Sequence, residues 1–145
     1  MPIKTESEIR KMRVAGEAAS EVLQASAAFI KPGRTTAEVD AFAADLIAER
    51  GGTPTFFGYR GFPGNICISI NEEVVHGIGG SRRIQPGDLV SIDIGVTLGG
   101  WIGDNAVTVP VGPVSLESQR LLAVTEQSLF EAIDHAREGV RLADL

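Results

Sequence analysis

The chain has 145 residues, and its 13 Lys and Arg against 19 Asp and Glu give a formal net charge of −6. This length and a hydrophobic content of 43% predict a single globular domain, residues 1–145, with enough apolar side chains for a core. The acidic balance and the scattered basic residues exclude nucleic acid as an expected partner. One cysteine excludes an internal disulfide, and no apolar run is long enough to cross a bilayer, so we expect a cytoplasmic protein without membrane contact.

Two copies of the Ser/Thr-x-x-Glu capping box predict two helices near the start of the chain. The first box, Thr5 and Glu8, predicts a helix from Glu8 to about Ile30. The second box, Thr35 and Glu38, predicts another helix, which a following Gly-Gly pair ends.

The middle of the chain has the pattern of short strands and turns, because 13 of its 17 glycines lie between residues 51 and 103. Alternating apolar residues predict four strands, at 66–70, 73–76, 89–96 and 101–111. The glycine pair between the last two strands predicts a β-hairpin. A third helix is expected from about Ser115 to near Gly139, so the fold class is α+β.

Asp93 and Asp104 are predicted to share one face of this hairpin. Alternation along 89–96 separates Asp93 from the apolar side chains, and the parity of an even-numbered turn makes Asp104 its direct or diagonal neighbour. Neighbouring carboxylates repel each other, so a divalent cation between them is one explanation for the pair. The other explanation is a solvated sheet face on which both aspartates are merely polar.

Half of the chain's eight aromatic residues fall within seven positions, namely Phe56, Phe57, Tyr59 and Phe62. Cys67 follows soon after. These side chains could line an apolar pocket or simply cover the core.

The two histidines are interpreted differently. His76 comes just before a glycine-rich loop, where a neutral imidazole could hydrogen-bond a substrate or have only a structural role. His135 has no partner at ligand spacing and is interpreted as a residue of a helix surface.

In their order, these segments resemble the type I methionine aminopeptidases. The resemblance rests on Gly58-Tyr59-Arg60-Gly61-Phe62-Pro63, Cys67-Ile68-Ser69-Ile70-Asn71-Glu72, Val75-His76-Gly77-Ile78, Pro86-Gly87-Asp88, Ser91-Ile92-Asp93 and Gly103-Asp104-Asn105-Ala106. It implies the pita-bread fold, in which two halves are related by a pseudo-twofold axis. A weak echo of residues 31–39 at 137–145 fits such a repeat, and the chain is expected to be the N-terminal part of that fold.

The resemblance also implies roles for individual residues. By motif position, Asp93 and Asp104 would ligate two divalent ions of Co, Mn, Fe or Zn, with Asp104 bridging them. His76 would be catalytic and would contact the substrate near the scissile amide. The methionine side chain would bind against Phe56, Tyr59, Phe62 and Cys67.

The activity that the resemblance implies is removal of the initiator methionine from nascent peptides by metal-activated water. Expected partners are N-terminal methionine peptides and the ribosome, and the full-length enzyme is expected to be a monomer. The family's other ligands, a histidine and two glutamates, would follow Leu145, so this chain is expected to be a fragment with little activity alone. The alternatives are a Xaa-Pro aminopeptidase or prolidase of the same fold, and a truncated binding module without catalysis.

Overall fold

The computed structural model describes residues 3–145, which form two compact units, the chain up to Pro113 and residues 114–145. The elements of the first unit are α1 (Glu6–Phe29), α2 (Thr36–Glu49), β1 (Thr53–Pro54), β2 (Cys67–Ile70), β3 (Leu89–Leu98) and β4 (Trp101–Pro110). The second unit contains α3 (Leu116–His135) and a short 3₁₀ turn. These elements confirm the α+β class, while the expectation of a single domain stays a prediction.

Both capping boxes form as predicted. The Thr5 hydroxyl accepts the Glu8 N–H at 3.3 Å, and the Glu8 carboxylate accepts the Thr5 N–H at 2.7 Å. Thr35 and Glu38 make the same pair of bonds at 3.2 and 2.6 Å. In each box the bond from the threonine N–H, and then the bond from its hydroxyl, lowers the pKa of the glutamate.

We expect Thr35→Ala to lower the free energy of unfolding by about 1 kcal/mol, because the Glu38 N–H loses its acceptor and the Glu38 carboxylate loses the Thr35 hydroxyl as a donor. Thr35→Ser keeps the hydroxyl and serves as the control. Because the pKa of Glu38 is lowered on folding, the box stabilises the protein above the ordinary pKa of the carboxyl group and weakens as pH falls through the lowered value. Urea titrations at about pH 7 and about pH 2.5 should therefore show a smaller effect of Thr35→Ala in acid, and an equal effect would contradict this.

β3 is the central strand of an antiparallel sheet. It pairs with β4 along one edge and with both β1 and β2 along the other. Every second residue of β3 is buried under α1 and α2, which cover one face of the sheet. The core on this face is formed by Val22, Val39, Ala43, Ile47, Ile66, Ile68, Ile70, Ile84, Val90, Ile92, Ile94 and Val96.

The β3–β4 hairpin closes through the predicted glycine pair. Gly99 and Gly100 have φ angles of 58° and 81°, the positive values that a two-residue type I′ turn requires. Leu98 therefore pairs directly with Trp101, and the register continues without a bulge to the other end of the hairpin.

The predicted strand at 73–76 is wrong, because this segment returns past β2 without pairing as a strand. The Glu73 carboxylate accepts the Ile70 N–H at 2.8 Å, at the place where a neighbouring strand would offer a carbonyl. His76 has a φ of 59°, which an extended strand does not allow. The segment is therefore a loop held by a side chain.

In the second unit, α3 begins as predicted, because the Ser115 hydroxyl accepts a backbone N–H of the first turn at 3.0 Å. The helix ends at His135, before the predicted Gly139, because the backbone of Ala136 leaves the helical conformation with a ψ of 86°. The Arg137 side chain donates to the Asp134 carbonyl in the last turn at 2.9 Å. His135 is exposed, as expected for a helix surface. Among residues 3–145, we find no helix that is long and apolar enough to cross a membrane.

Candidate metal and substrate site

The two aspartates lie on the sheet face opposite the helices. Asp93 pairs with Ala106 and Asp104 pairs with Gly95, so the aspartates are diagonal neighbours on adjacent strands. Diagonal neighbours on adjacent strands lie roughly 7 to 8 Å from each other. At this distance, one or two ions fit between the two carboxylates. The shared face that hairpin parity predicted is confirmed.

One oxygen of the Asp93 carboxyl group, Oδ1, is buried and lacks a hydrogen-bond donor among the described residues. Burial raises the pKa of Asp93, and the Asp104 carboxylate raises it further, while the nearby His76 opposes this shift. A buried acceptor without a donor is costly, and a cation at this position would satisfy it.

A cavity of about 610 Å³ opens beside this acidic pair. It is lined by all seven residues to which the family resemblance assigned a role, namely Phe56, Tyr59, Phe62, Cys67, His76, Asp93 and Asp104. It is also lined by Arg60, Gly61 and Pro63, which the sequence analysis did not select. Their position between and beside the aromatic residues was the signal that could have identified them. Phe57 is not among the lining residues and is 63% exposed.

The aromatic side of the cavity packs closely on the sheet. The Phe56 ring lies over Gly95, where an added Cβ would be only 2.7 Å from a ring carbon. Because Gly95 is the residue paired with Asp104, the absence of a side chain there brings the ring next to the acidic pair.

The loop after the aromatic cluster is fixed by Asp40 of α2. The Asp40 carboxylate accepts the backbone N–H groups of Asn65 and Ile66 at 2.8 and 3.0 Å, and the Asn65 side chain at 2.6 Å. A carboxylate that accepts several N–H bonds is a strong anchor. Asp40 thus ties α2 to the start of β2 and holds the aromatic segment at the cavity.

The donor set fits part of a divalent metal site. Carboxylate oxygens suit hard divalent ions, and the buried Asp93 Oδ1 has no competing hydrogen bond. Within residues 3–145, however, no cluster of three His, Cys, Asp or Glu side chains is arranged to hold an ion. Asp93 and Asp104 can therefore supply two ligands of such a site.

The Cys67 thiol is buried opposite Asp93 on the neighbouring strand. Burial raises the pKa of Cys67 to about 11, and the negative charges of Asp93, Asp104 and Asp40 contribute to the shift. Only the thiolate is nucleophilic. We therefore expect iodoacetamide at about pH 8 to alkylate Cys67 roughly 100-fold more slowly than an exposed cysteine.

Asp93→Asn removes one of the charges that raise this pKa and should accelerate the alkylation severalfold. Asp45→Asn changes an exposed carboxylate of α2 and should leave the rate unchanged. Mass spectrometry of timed samples measures all three rates. Alkylation of the wild-type protein as fast as that of a free thiol would contradict the prediction.

Comparison with known proteins identifies the family of this chain. The model of metallopeptidase family M24 matches residues 10–145. Methionine aminopeptidase 1 of Bacillus subtilis is 46% identical over 142 residues, which are 98% of this chain and 57% of the relative. The methionine aminopeptidase of Clostridium perfringens is 43% identical over 99% of this chain and 57% of its own length. The chain thus spans little more than half the length of these curated relatives.

Solved structures show the same fold. The crystal structure of the Thermotoga maritima methionine aminopeptidase superimposes with a TM-score of 0.94 at 38% identity, over 98% of this chain and 57% of that one. The prolidase of Pyrococcus horikoshii superimposes with a TM-score of 0.82 at 25% identity, over 95% of this chain and 38% of that one. The pita-bread fold is therefore confirmed, and this chain belongs to metallopeptidase family M24.

Proposed function

We propose that this chain takes part in the metal-dependent removal of N-terminal methionine from peptides. The observation that carries the proposal is the convergence of the acidic pair, His76 and the aromatic residues on one cavity. The curated relatives are named methionine aminopeptidases, and their similarity extends over nearly the whole of this chain. Because the chain spans little more than half of them, the activity of the whole enzyme is part of the proposal.

Asp93 and Asp104 would hold divalent metal, and we propose two ions from among Co, Mn, Fe and Zn. Bound there, the ions would activate water and polarise the peptide carbonyl. The two aspartates would present carboxylate oxygens to the ions from the two adjacent strands of the hairpin. The Asp93 Oδ1 atom, which is buried and without a hydrogen-bond partner, is available for this.

The cavity walls would select the first residue of the peptide. A volume of about 610 Å³ is that of a small-molecule site and exceeds what one methionine side chain needs. Phe56, Tyr59, Phe62 and Cys67 offer ring and sulfur contacts, which suit a thioether. His76, which lines the same cavity, would hydrogen-bond the scissile amide.

The proposed substrates are nascent chains that carry the initiator methionine. This places the reaction in the cytoplasm, with the ribosome as a further partner. We also propose that the full-length enzyme acts as a monomer.

The second candidate is a peptidase that recognises proline after the first residue, which the structural similarity to a prolidase favours. The two candidates predict different preferences for the first two residues of a peptide, namely methionine at the first position or proline at the second. A methionine-specific site binds the peptide because the methionine side chain fills the apolar cavity. A proline-specific site does not depend on methionine at the first position.

Calorimetric titration with Met-Ala-Ser and with Ala-Pro-Ser, each in the presence of Mn²⁺, separates these candidates, and release of free methionine is assayed alongside. We expect Met-Ala-Ser to bind at least tenfold more tightly, and the binding to be lost in Asp93→Asn. Preference for Ala-Pro-Ser would favour the second candidate. Peptide binding that needs neither metal nor methionine would overturn both.

A further inference from the structure

We propose that Ser69 is a positioning residue that holds His76 in its place at the cavity. This inference rests on the proposed function, in which His76 contacts the substrate. His76 lies on a loop rather than on a strand, so contacts outside regular structure must hold its backbone in place. The Ser69 hydroxyl group is placed to do this.

Ser69 lies on β2, two residues after Cys67 and therefore on the same face of the sheet. Its side chain is buried, with 3% exposure of the residue, and its Oγ accepts the N–H of Gly77 at 3.1 Å. That N–H belongs to the peptide group that joins His76 to Gly77. A bond that fixes the direction of this peptide also fixes the ψ angle of His76.

The same peptide segment is held from the backbone of β2. The Ile68 N–H donates to the Gly77 carbonyl at 2.9 Å, so both polar groups of Gly77 are bound by consecutive residues of one strand. A Cβ atom added at Gly77 would overlap the carbonyl group of Ile68. This close approach explains why glycine follows His76.

The loop is also fixed at its other end. The Gly80 N–H donates to the Thr36 hydroxyl at 2.8 Å, and the Gly80 carbonyl accepts the Ala37 N–H at 3.0 Å. Gly79 has no room for a side chain against Asp40. With few free residues between these two anchors, the loop cannot relieve strain by shifting away from His76.

His76 needs such a restraint because its φ of 59° is in the left-handed region. For a residue with a Cβ, this conformation is unfavourable by an amount comparable to the gain from one buried hydrogen bond. Removing the Ser69 hydroxyl should therefore allow His76 to populate other conformations, while the Ile68 N–H still holds the Gly77 carbonyl.

Amide hydrogen exchange followed by NMR tests this without any need for activity. Ser69→Ala should reduce the protection of the Gly77 amide at least tenfold and shift the His76 amide resonance. Ser69→Thr keeps the hydroxyl and should restore both. The matched control is Ser91→Ala, because Ser91 is the register partner of Ser69 but bonds the Thr108 hydroxyl. Unchanged protection at Gly77 in Ser69→Ala would overturn the inference.

A double-mutant cycle tests whether the effect reaches the substrate. With Mn²⁺ present, Ser69→Ala should weaken binding of Met-Ala-Ser several-fold in the wild-type background and have no effect in the His76→Ala background. An equal loss in both backgrounds would show that Ser69 acts without His76 and would overturn the positioning role. If the wild-type chain binds no peptide, the proposed function fails, and the exchange measurement still decides whether Ser69 holds the loop.

Discussion

Asp104→Asn should abolish most of the stabilisation that Mn²⁺ confers while leaving the metal-free protein folded. The substitution removes a charge but little volume, and Asp104 is exposed on β4, so no core packing is lost. Relief of the repulsion from Asp93 should raise the free energy of unfolding of the metal-free protein by about 0.5 kcal/mol. A ligand that binds only the folded state at 100 times its Kd contributes about 2.7 kcal/mol, and this contribution should disappear in the variant.

Thermal unfolding with and without Mn²⁺ measures both effects in one series. Asp93→Asn should behave in the same way, because its carboxylate is the other half of the pair. Asp45→Asn, which changes an exposed carboxylate of α2, should retain the whole metal-dependent shift in Tm. A metal-dependent shift that survives in Asp104→Asn would mean that the ion binds elsewhere.

Gly103→Ala should be the most destabilising single-methyl change on the hairpin. A Cβ at this position would overlap the backbone carbonyl of Ala15, so α1 and β4 could not keep their present separation. Backbone atoms of a helix cannot rotate away as a side chain can. We expect a loss of about 3 kcal/mol or more in the free energy of unfolding.

Gly16→Ala is the matched control, because Gly16 lies in α1 directly beside this contact and has open space around its Cβ position. Alanine is the better helix former, so this change should stabilise the protein by about 0.5 to 1 kcal/mol. Urea titration of the two variants should therefore give changes of opposite sign in the free energy of unfolding. Changes of the same sign would contradict the close packing of α1 on β4.

The helix starts and the face of the aspartates followed from the sequence, because both depend on interactions over a few residues. A capping box joins residues three apart, so Thr5 with Glu8 was sufficient to predict where α1 begins. A two-residue turn sets the register of the whole hairpin, so Asp93 and Asp104 had to share a face. The order of the motifs likewise indicated the family.

Where the loop of His76 lies was decided by tertiary structure. Residues 73–76 have the composition of a strand, yet one carboxylate, that of Glu73, occupies the edge of β2 and prevents the pairing. Only the folded chain brings Gly77 back to Ser69, and only there can the hydroxyl restrain a left-handed His76. The alternation of polar and apolar residues predicts which face of the sheet a side chain lies on. It does not predict which group will hydrogen-bond the free edge of a strand.

The cavity also combines features that the local sequence predicts with features that only the tertiary structure decides. The sequence showed that Phe56, Tyr59 and Phe62 are clustered, but it left open whether the cluster lines a pocket or covers the core. The difference arises because Asp40 of α2 anchors the end of the aromatic segment and Gly95 leaves space on the sheet for the Phe56 ring. These contacts join residues far apart in the chain, and their energies depend on distances that local patterns do not contain.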